Sequence, residues 1–152
     1  AGIASYQAMK LNEPVEYFRE ALSLNPHSDI ANLAMAFAQQ RKRDYKTALN
    51  YARMIIDTSS DESALLVARR LYALLCVQTK RPAEAVKVLE TLLEQVRKGD
   101  ANDEEAVILY DLGFAAVNAE MTELAYDYWN QLYLSVSLSA GLRRPHSADT
   151  YA

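Results

Sequence analysis

Apolar residues recur at intervals of three and four along most of the chain, and short polar stretches interrupt them. This spacing is typical of α-helices, and where it covers more than one side it indicates a helix that is buried on two faces. The clearest case is the set Leu65, Leu66, Leu71, Tyr72, Leu75 and Cys76. The pattern predicts helices and no strands, near residues 2–10, 13–24, 28–41, 44–57, 61–79, 82–98, 103–118 and 121–137.

Some helix starts carry signals of their own. Ser59 with Glu62, and Asn102 with Glu105, have the spacing of reciprocal N-terminal caps. Pro82 falls in a predicted first turn, where its missing N–H costs little. These residues predict where three of the helices begin.

The sequence also repeats itself. Four segments align so that Pro14, Ala48, Ala85 and Ala125 occupy one slot, at intervals of 34, 37 and 40 residues. A recurring unit of this length predicts helix pairs that stack on their neighbours.

A second slot, in the helix before each of these alanines, also holds small residues. Antiparallel helices can touch closely only where side chains are small, so we expect the two slots to face each other within a pair. Enlarging Ala85 to Leu is then expected to cost roughly 1–3 kcal/mol through overpacking. The expected contacts are Ala36 with Ala48, Ala73 with Ala85, and Gly113 with Ala125.

Over residues 1 to about 135 this pattern resembles the tetratricopeptide repeat. Two departures are that Pro14 replaces the usual Ala and that Ser60 stands where the closing Pro would be. The residues at pattern positions are Gly2, Leu11, Phe18, Ala21 and Pro26 in the first copy, Ala36, Tyr45 and Ala48 in the second, Ala73, Ala85 and Leu89 in the third, and Leu112, Gly113, Ala125 and Trp129 in the fourth.

The resemblance implies an all-α fold, a right-handed α-solenoid of antiparallel helix pairs with about four repeats. The repeat domain would cover residues 1–138, with repeats near 1–27, 28–60, 61–101 and 102–138. Residues 139–152 would form a C-terminal tail. The unequal spacing of the copies makes the later pairs longer than the earlier ones.

In proteins of this family the first helix of each pair lines a concave groove that binds peptides or helices. The resemblance therefore implies an apolar groove for a partner protein. Its residues would be Ile3 and Tyr6 in the first copy, Ile30, Leu33, Phe37 and Gln40 in the second, Val67, Arg70, Leu74 and Val77 in the third, and Val107, Tyr110, Phe114 and Val117 in the fourth. Each residue taken alone is equally compatible with core packing.

Some relatives in this family hold the C-terminal carboxylate of a chaperone with basic residues. Here Val67 and Leu71 stand at slots that such a clamp would need. We therefore do not expect a chaperone tail as the ligand.

Composition argues against several other functions. The net charge of −4 is spread along the chain, which disfavours a nucleic-acid ligand. One cysteine and two histidines, with no phosphate-cradling glycine loop, leave no set of residues for catalysis, a cofactor or a metal. No apolar run is long enough to insert directly into a membrane. Cysteine usage weakly favours the cytoplasm.

The sequence thus predicts an interaction scaffold or adaptor that binds a protein or peptide partner without chemistry. One alternative is a regulatory or substrate-recruiting arm of a larger enzyme or of a secretion or transport machine. Another is a self-assembly module, in which exposed terminal repeats or the tail make a homo-oligomer.

Overall fold

The computed structural model describes residues 14–99, 102–139 and 141, and all regular structure within them is helical. The all-α prediction is confirmed for these residues, and each described helix begins and ends within two residues of its predicted bounds. The predicted helix 2–10 lies outside the described residues. The helices are α1 (14–24), α2 (Asp29–Arg41), α3 (Tyr45–Thr58), α4 (Glu62–Gln78), α5 (Pro82–Arg97), α6 (Asn102–Asn118) and α7 (Thr122–Ser139).

The helices belong to two compact units, one ending at Lys80 and the other beginning at Arg81. In the first unit α2 packs on α3, α3 packs on α4, and α2 also touches α4. In the second unit α5 packs on α6 and α6 packs on α7. Connections of three or four residues join consecutive helices within each unit, so α3 and α4 in the first unit, and α6 and α7 in the second, each run back antiparallel to the helix before them.

Alanines make up much of the core of the first unit. Ala36 of α2, Ala48 and Ala52 of α3, and Ala68 of α4 are fully buried. Small side chains let helix axes approach closely, and the burial of Ala36 and Ala48 agrees with the close contact that the sequence predicts between α2 and α3. Larger side chains, among them Met35, Ile55 and Leu75, fill the remaining space without exposure to solvent.

The second unit has a core with more leucine and isoleucine. Ala85 and Ala125 are buried at the repeated slot, again as expected. Larger buried residues from all three helices surround these two alanines. They bury more apolar area than alanines at the same positions would. These residues include Leu89, Leu92 and Leu93 of α5, Ile108, Leu109 and Leu112 of α6, and Tyr128 of α7.

Gly113 of α6 is buried for a reason that the sequence did not reveal. The indole of Trp129, one turn after Ala125 in α7, lies against its backbone, and a Cβ atom at position 113 would overlap the ring. The space left by the missing side chain is therefore filled by Trp129. The nearest neighbour of Gly113 is thus an aromatic ring, which the sequence did not predict.

A polar network also joins the three helices of the second unit. Tyr128 Oη donates a hydrogen bond to Glu90 Oε1 at 3.0 Å. Arg97 donates from Nε to Glu105 at 2.8 Å and from Nη2 to Gln131 at 2.7 Å. Burial, together with the bond to Glu90, raises the pKa of Tyr128 to about 12, because both favour the neutral phenol.

The turn between α2 and α3 is closed by backbone hydrogen bonds. Arg43 has a φ of 63°, and its N–H donates to the carbonyl of Gln40 at 2.9 Å. The next N–H, from Asp44, reaches the carbonyl of Gln39 at 2.9 Å. These two bonds define a Schellman motif, which satisfies carbonyls that the end of a helix leaves without partners.

The same backbone conformation recurs after α4 and α6. Lys80 has a φ of 63° and Glu120 a φ of 60°, so each lies in the left-handed region that glycine usually occupies. The intervals from Arg43 to Lys80 and from Lys80 to Glu120 are 37 and 40 residues, the same as those between the buried alanines. The repeat seen in the sequence is thus also a repeat of backbone geometry.

One predicted cap is wrong. The side chain that caps α4 is that of Asp61, which accepts from the N–H groups of Ser63 at 2.9 Å and Ala64 at 3.4 Å. Ser59 instead donates from Oγ to Asp29 at 2.7 Å, and this bond ties the end of α3 to the start of α2. The aspartate prevails because it directly precedes the first helical residue. Pro82 lies in the first turn of α5 as predicted, whereas the side chain of Asn102 lies outside the described part.

Replacing Arg43 by Gly is expected to stabilise the protein by about 0.5–1 kcal/mol. A left-handed conformation costs a non-glycine residue about 1–2 kcal/mol, and the greater freedom of glycine in the unfolded chain offsets part of the gain. Urea unfolding followed by circular dichroism measures the change. The matched control is Arg41→Gly in the last turn of α2, which should destabilise by about 0.5–1 kcal/mol. Equal losses of stability in Arg43→Gly and Arg41→Gly would contradict the left-handed conformation of Arg43.

Gly113→Ala should destabilise the wild-type chain and stabilise a chain that also carries Trp129→Ala. In the first case the indole must leave its place, and in the second only the gain in helix propensity, about 1 kcal/mol, remains. A double-mutant cycle in urea measures this coupling. The single tryptophan of the sequence supplies a second readout, since its emission should shift in Gly113→Ala. If Gly113→Ala changed the free energy of unfolding in the same direction with and without Trp129→Ala, the contact between Gly113 and Trp129 would be disproved.

The stability of the second unit should fall as the pH rises from about 10 to 12. The phenol of Tyr128 ionises near pH 10 when unfolded and near 12 when folded. Its contribution is therefore complete below pH 10 and is lost as the pH passes through 12. In urea unfolding, the free energy of unfolding of the wild type should fall more steeply with pH across this range than that of Tyr128→Phe. Parallel curves would show that Tyr128 does not cause the loss.

Candidate partner-binding faces on α2, α4 and α6

The helices α2, α4 and α6 are the first members of the predicted pairs, and each has apolar residues on two sides. One side is buried against neighbouring helices, as Met35 in α2 and Leu71 in α4 show. The other side carries large apolar side chains that are exposed. Packing within the described residues explains the first side and not the second.

The exposed apolar residues occupy equivalent positions. Positions 30, 33, 37 and 40 of α2 recur 37 residues later in α4 and a further 40 residues later in α6. These are the intervals that separate the buried alanines. Two of these positions, 30 and 37 with their equivalents, are therefore exposed and apolar in all three helices.

In the first unit, this surface comprises residues of α2 and α4, which touch each other. We call it the α2–α4 face, and its exposed apolar members are Ile30, Phe37, Val67 and Leu74. Phe37 is 43% exposed although it is large and aromatic. Exposed apolar side chains clustered on adjacent helices are typical of interaction surfaces.

The other predicted residues of this unit are less exposed. Gln40 donates from its side-chain amide to Gln78 at 3.2 Å, which links the C-terminal ends of α2 and α4. Leu33 is half-buried and packs on the core cluster that contains Ile55, so its side chain contributes to the core. Arg70 and Val77 are also half-buried.

In the second unit the equivalent surface lies on α6. We call it the α6 stripe, and it consists of Val107, Tyr110, Phe114 and Val117, all of them exposed. Phe114 is 42% exposed, close to the value for Phe37 at the equivalent position. The carbonyl of Phe114 accepts a hydrogen bond from the side-chain amide of Asn118 at 2.8 Å. The polar side chain that follows the stripe is therefore hydrogen-bonded within α6.

Charge differs between the two surfaces. Beyond Phe37, α2 ends in the basic sequence from Arg41 to Arg43, and all three residues are exposed. The α6 helix instead begins with three acidic residues, Asp103 to Glu105, of which Glu105 is paired with Arg97. The two surfaces therefore carry opposite charges near these helix ends.

The residues that the sequence offered for chemistry lie apart. Cys76 is fully buried in α4, and His27 is exposed in the turn before α2. Among the described residues no three His, Cys, Asp or Glu side chains are grouped to hold a metal ion. Within the same residues, no helix combines the length and apolar character needed to cross a membrane. Ile3 and Tyr6, the predicted groove residues of the first copy, lie outside the described part.

Sequence reasoning missed a further apolar surface on α7. Tyr126, Tyr133 and Val136 are at least half exposed. Their equivalents in α5 are Val86, Leu93 and Val96, which are buried, so the repeat alone predicts burial here.

Comparison with protein-family models and with curated proteins finds no match to this chain.

Proposed function

We propose that the helix pairs are tetratricopeptide-like repeats and that the chain is a protein-interaction domain. In this proposal the α2–α4 face and the α6 stripe each bind a helix or an extended segment of a partner protein. The partner is held by surface complementarity, without catalysis and without a cofactor.

The observation that carries the proposal is the repeated exposure of large apolar residues at equivalent positions. Random surface variation would place single apolar residues anywhere, and such residues need no explanation. Here Phe37, Leu74 and Phe114 share one position of the repeating unit and are all exposed. A recurring apolar position on the exposed side of successive first helices favours a common binding role.

The chemistry of these faces also supports a peptide or helix ligand. Aromatic side chains such as Phe37 and Phe114 bury large areas at a small entropic cost, and a few such anchors usually carry most of the affinity of an interface. Apolar residues spaced along a helix can accept the i, i+3, i+7 stripe of an amphipathic partner. Gln40 and Gln78 supply polar groups at one end of the α2–α4 face, where they can fix the register of the ligand.

The proposal predicts that Phe37→Asp and Phe114→Asp reduce recovery of bound partners from cell lysate by at least about tenfold, since a carboxylate replaces an aromatic anchor. Quantitative mass spectrometry of proteins retained on the immobilised chain measures the recovery. The two single variants also show which face binds which partner.

The matched control is Met54→Asp in α3. Met54 is 37% exposed, similar to the two phenylalanines, but it lies on a second helix and outside both faces. Circular dichroism should show the same helicity and nearly the same melting temperature in all three variants. Partners retained equally by folded Phe37→Asp, Phe114→Asp and Met54→Asp would refute the assignment.

A further inference from the structure

The α2–α4 face has unlike charges at its two ends. Connections of three residues make α3 antiparallel to α2, and α4 antiparallel to α3, so α2 and α4 run in the same direction. The hydrogen bond from Gln40 to Gln78, at 3.2 Å, shows that their C-terminal ends lie side by side. One end of the face therefore consists of the last turns of both helices and the residues that follow them.

This C-terminal end of the face is positively charged. Within the described part none of its basic side chains is in an ion pair, and all of them are exposed. Arg43 and Lys80 occupy equivalent turns, each with a φ of 63°. We call the whole set the basic end, and it consists of Arg41, Lys42, Arg43 and Lys80.

Arg41 continues the apolar stripe of α2. It lies four residues after Phe37 and eleven after Ile30, and these intervals keep the three residues on one side of the helix. A ligand that covers Phe37 therefore lies within one helical turn, about 5 Å along the axis, of a residue that carries a positive charge.

The opposite end of the face is acidic. Asp29 is the first residue of α2, Glu62 is the first residue of α4, and Asp61 caps α4. Asp29 precedes Arg41 by twelve residues, which corresponds to about 18 Å along the helix. Charges placed in this way complement the helix dipoles. They also give a direction to the exposed apolar surface that lies between them.

We infer that the ligand of the α2–α4 face is an amphipathic helix of another protein, with acidic side chains at one end of its apolar stripe. This assignment rests on the proposed function, because it names the chemistry of the partner for the same face. The apolar stripe of the partner covers Phe37 and Leu74, and its carboxylates lie beside the basic end. Complementary charges at the rim of an interface select the partner and fix the direction in which it binds.

Other parts of the chain match this ligand less well. Residues 1–13 contain one acidic and one basic residue, and residues 142–152 contain one acidic and two basic residues. Neither stretch has an excess of acidic residues to place beside the basic end. The α6 stripe of a second copy does follow acidic residues, but Glu105, the nearest of them in the sequence, is already paired with Arg97 at 2.8 Å. The charges therefore favour a ligand from a different protein.

Selection from a displayed peptide library tests the chemistry of the ligand. The probes are peptides of about 16 residues, long enough to form a helix, with apolar residues at i, i+3 and i+7 and random residues in the first and last turns. Selection on the full chain should enrich aspartate and glutamate in one end turn. Peptides that require Phe37 but show no acidic enrichment would overturn this inference and leave the proposed function standing.

The same selection distinguishes failure of the proposed function. Selected peptides that bind Phe37→Asp as tightly as the wild type would refute the α2–α4 face as a binding site. So would a selection that enriches no peptide with an apolar stripe. Either result would overturn the inference about the ligand as well.

Charge reversal tests the contact with the basic end. Arg43→Glu combined with Lys80→Glu should weaken binding of a selected acidic peptide at least about tenfold, as measured by fluorescence anisotropy. The double variant should fold, because Glu120 occupies the equivalent turn with a φ of 60°. The matched control is Lys87→Glu combined with Lys98→Glu, two exposed residues outside the face, which changes the net charge equally. Equal affinities of the two double variants would overturn the inference.

Two further variants test whether the chain itself occupies the face. Deletion of residues 142–152 removes the C-terminal stretch, and Phe114→Asp disrupts the α6 stripe. Both should leave the affinity for the selected peptide unchanged. A gain of about tenfold in either variant would show that the chain or a second copy competes for the face, and it would overturn the assignment to another protein.

Discussion

The described structure depends on the close approach of helices at small side chains. Ala36, Ala48, Ala52 and Ala68 in the first unit, like Ala85 and Ala125 in the second, are buried where helices pack. Alanine buries little area by itself, so cohesion comes from many short-range contacts along the lengths of the helices. In α2, α4 and α6 these contacts leave large apolar side chains exposed on another side of the helix.

The sequence predicted the helices, the buried small residues and the repeated apolar positions, because all three are local signals. The spacing that defined α4 and the alanine slots depends on residues within one or two turns. Exposure of Phe37 and Phe114 could be expected only through the resemblance to a repeat family, since spacing alone does not separate a core stripe from a surface stripe. The partial burial of Leu33 shows the same ambiguity at one position.

What could not be predicted depends on side-chain direction or on distant neighbours. Ser59 has the spacing of a cap, yet its hydroxyl reaches Asp29, which is thirty residues away. Gly113 accommodates the ring of Trp129, and no local rule says which aromatic will fill the space above a glycine. The exposure of Tyr126 and Tyr133 could not be predicted either, because the equivalent residues of α3 and α5 are buried or half-buried. Whether an apolar side is a core or a surface depends on what packs against it.

The turns closed by Arg43 and Glu120 are held by main-chain groups, and their side chains take no part in the Schellman hydrogen bonds. Any residue that tolerates the left-handed conformation can therefore stand there. The turn at Arg43 carries a positive charge and the one at Glu120 a negative charge, although the two have the same backbone conformation. These sites can accumulate substitutions during evolution with little effect on folding, and each change alters the electrostatic potential at the edge of its unit. The backbone conformation of these turns can therefore be kept while their surface charge changes.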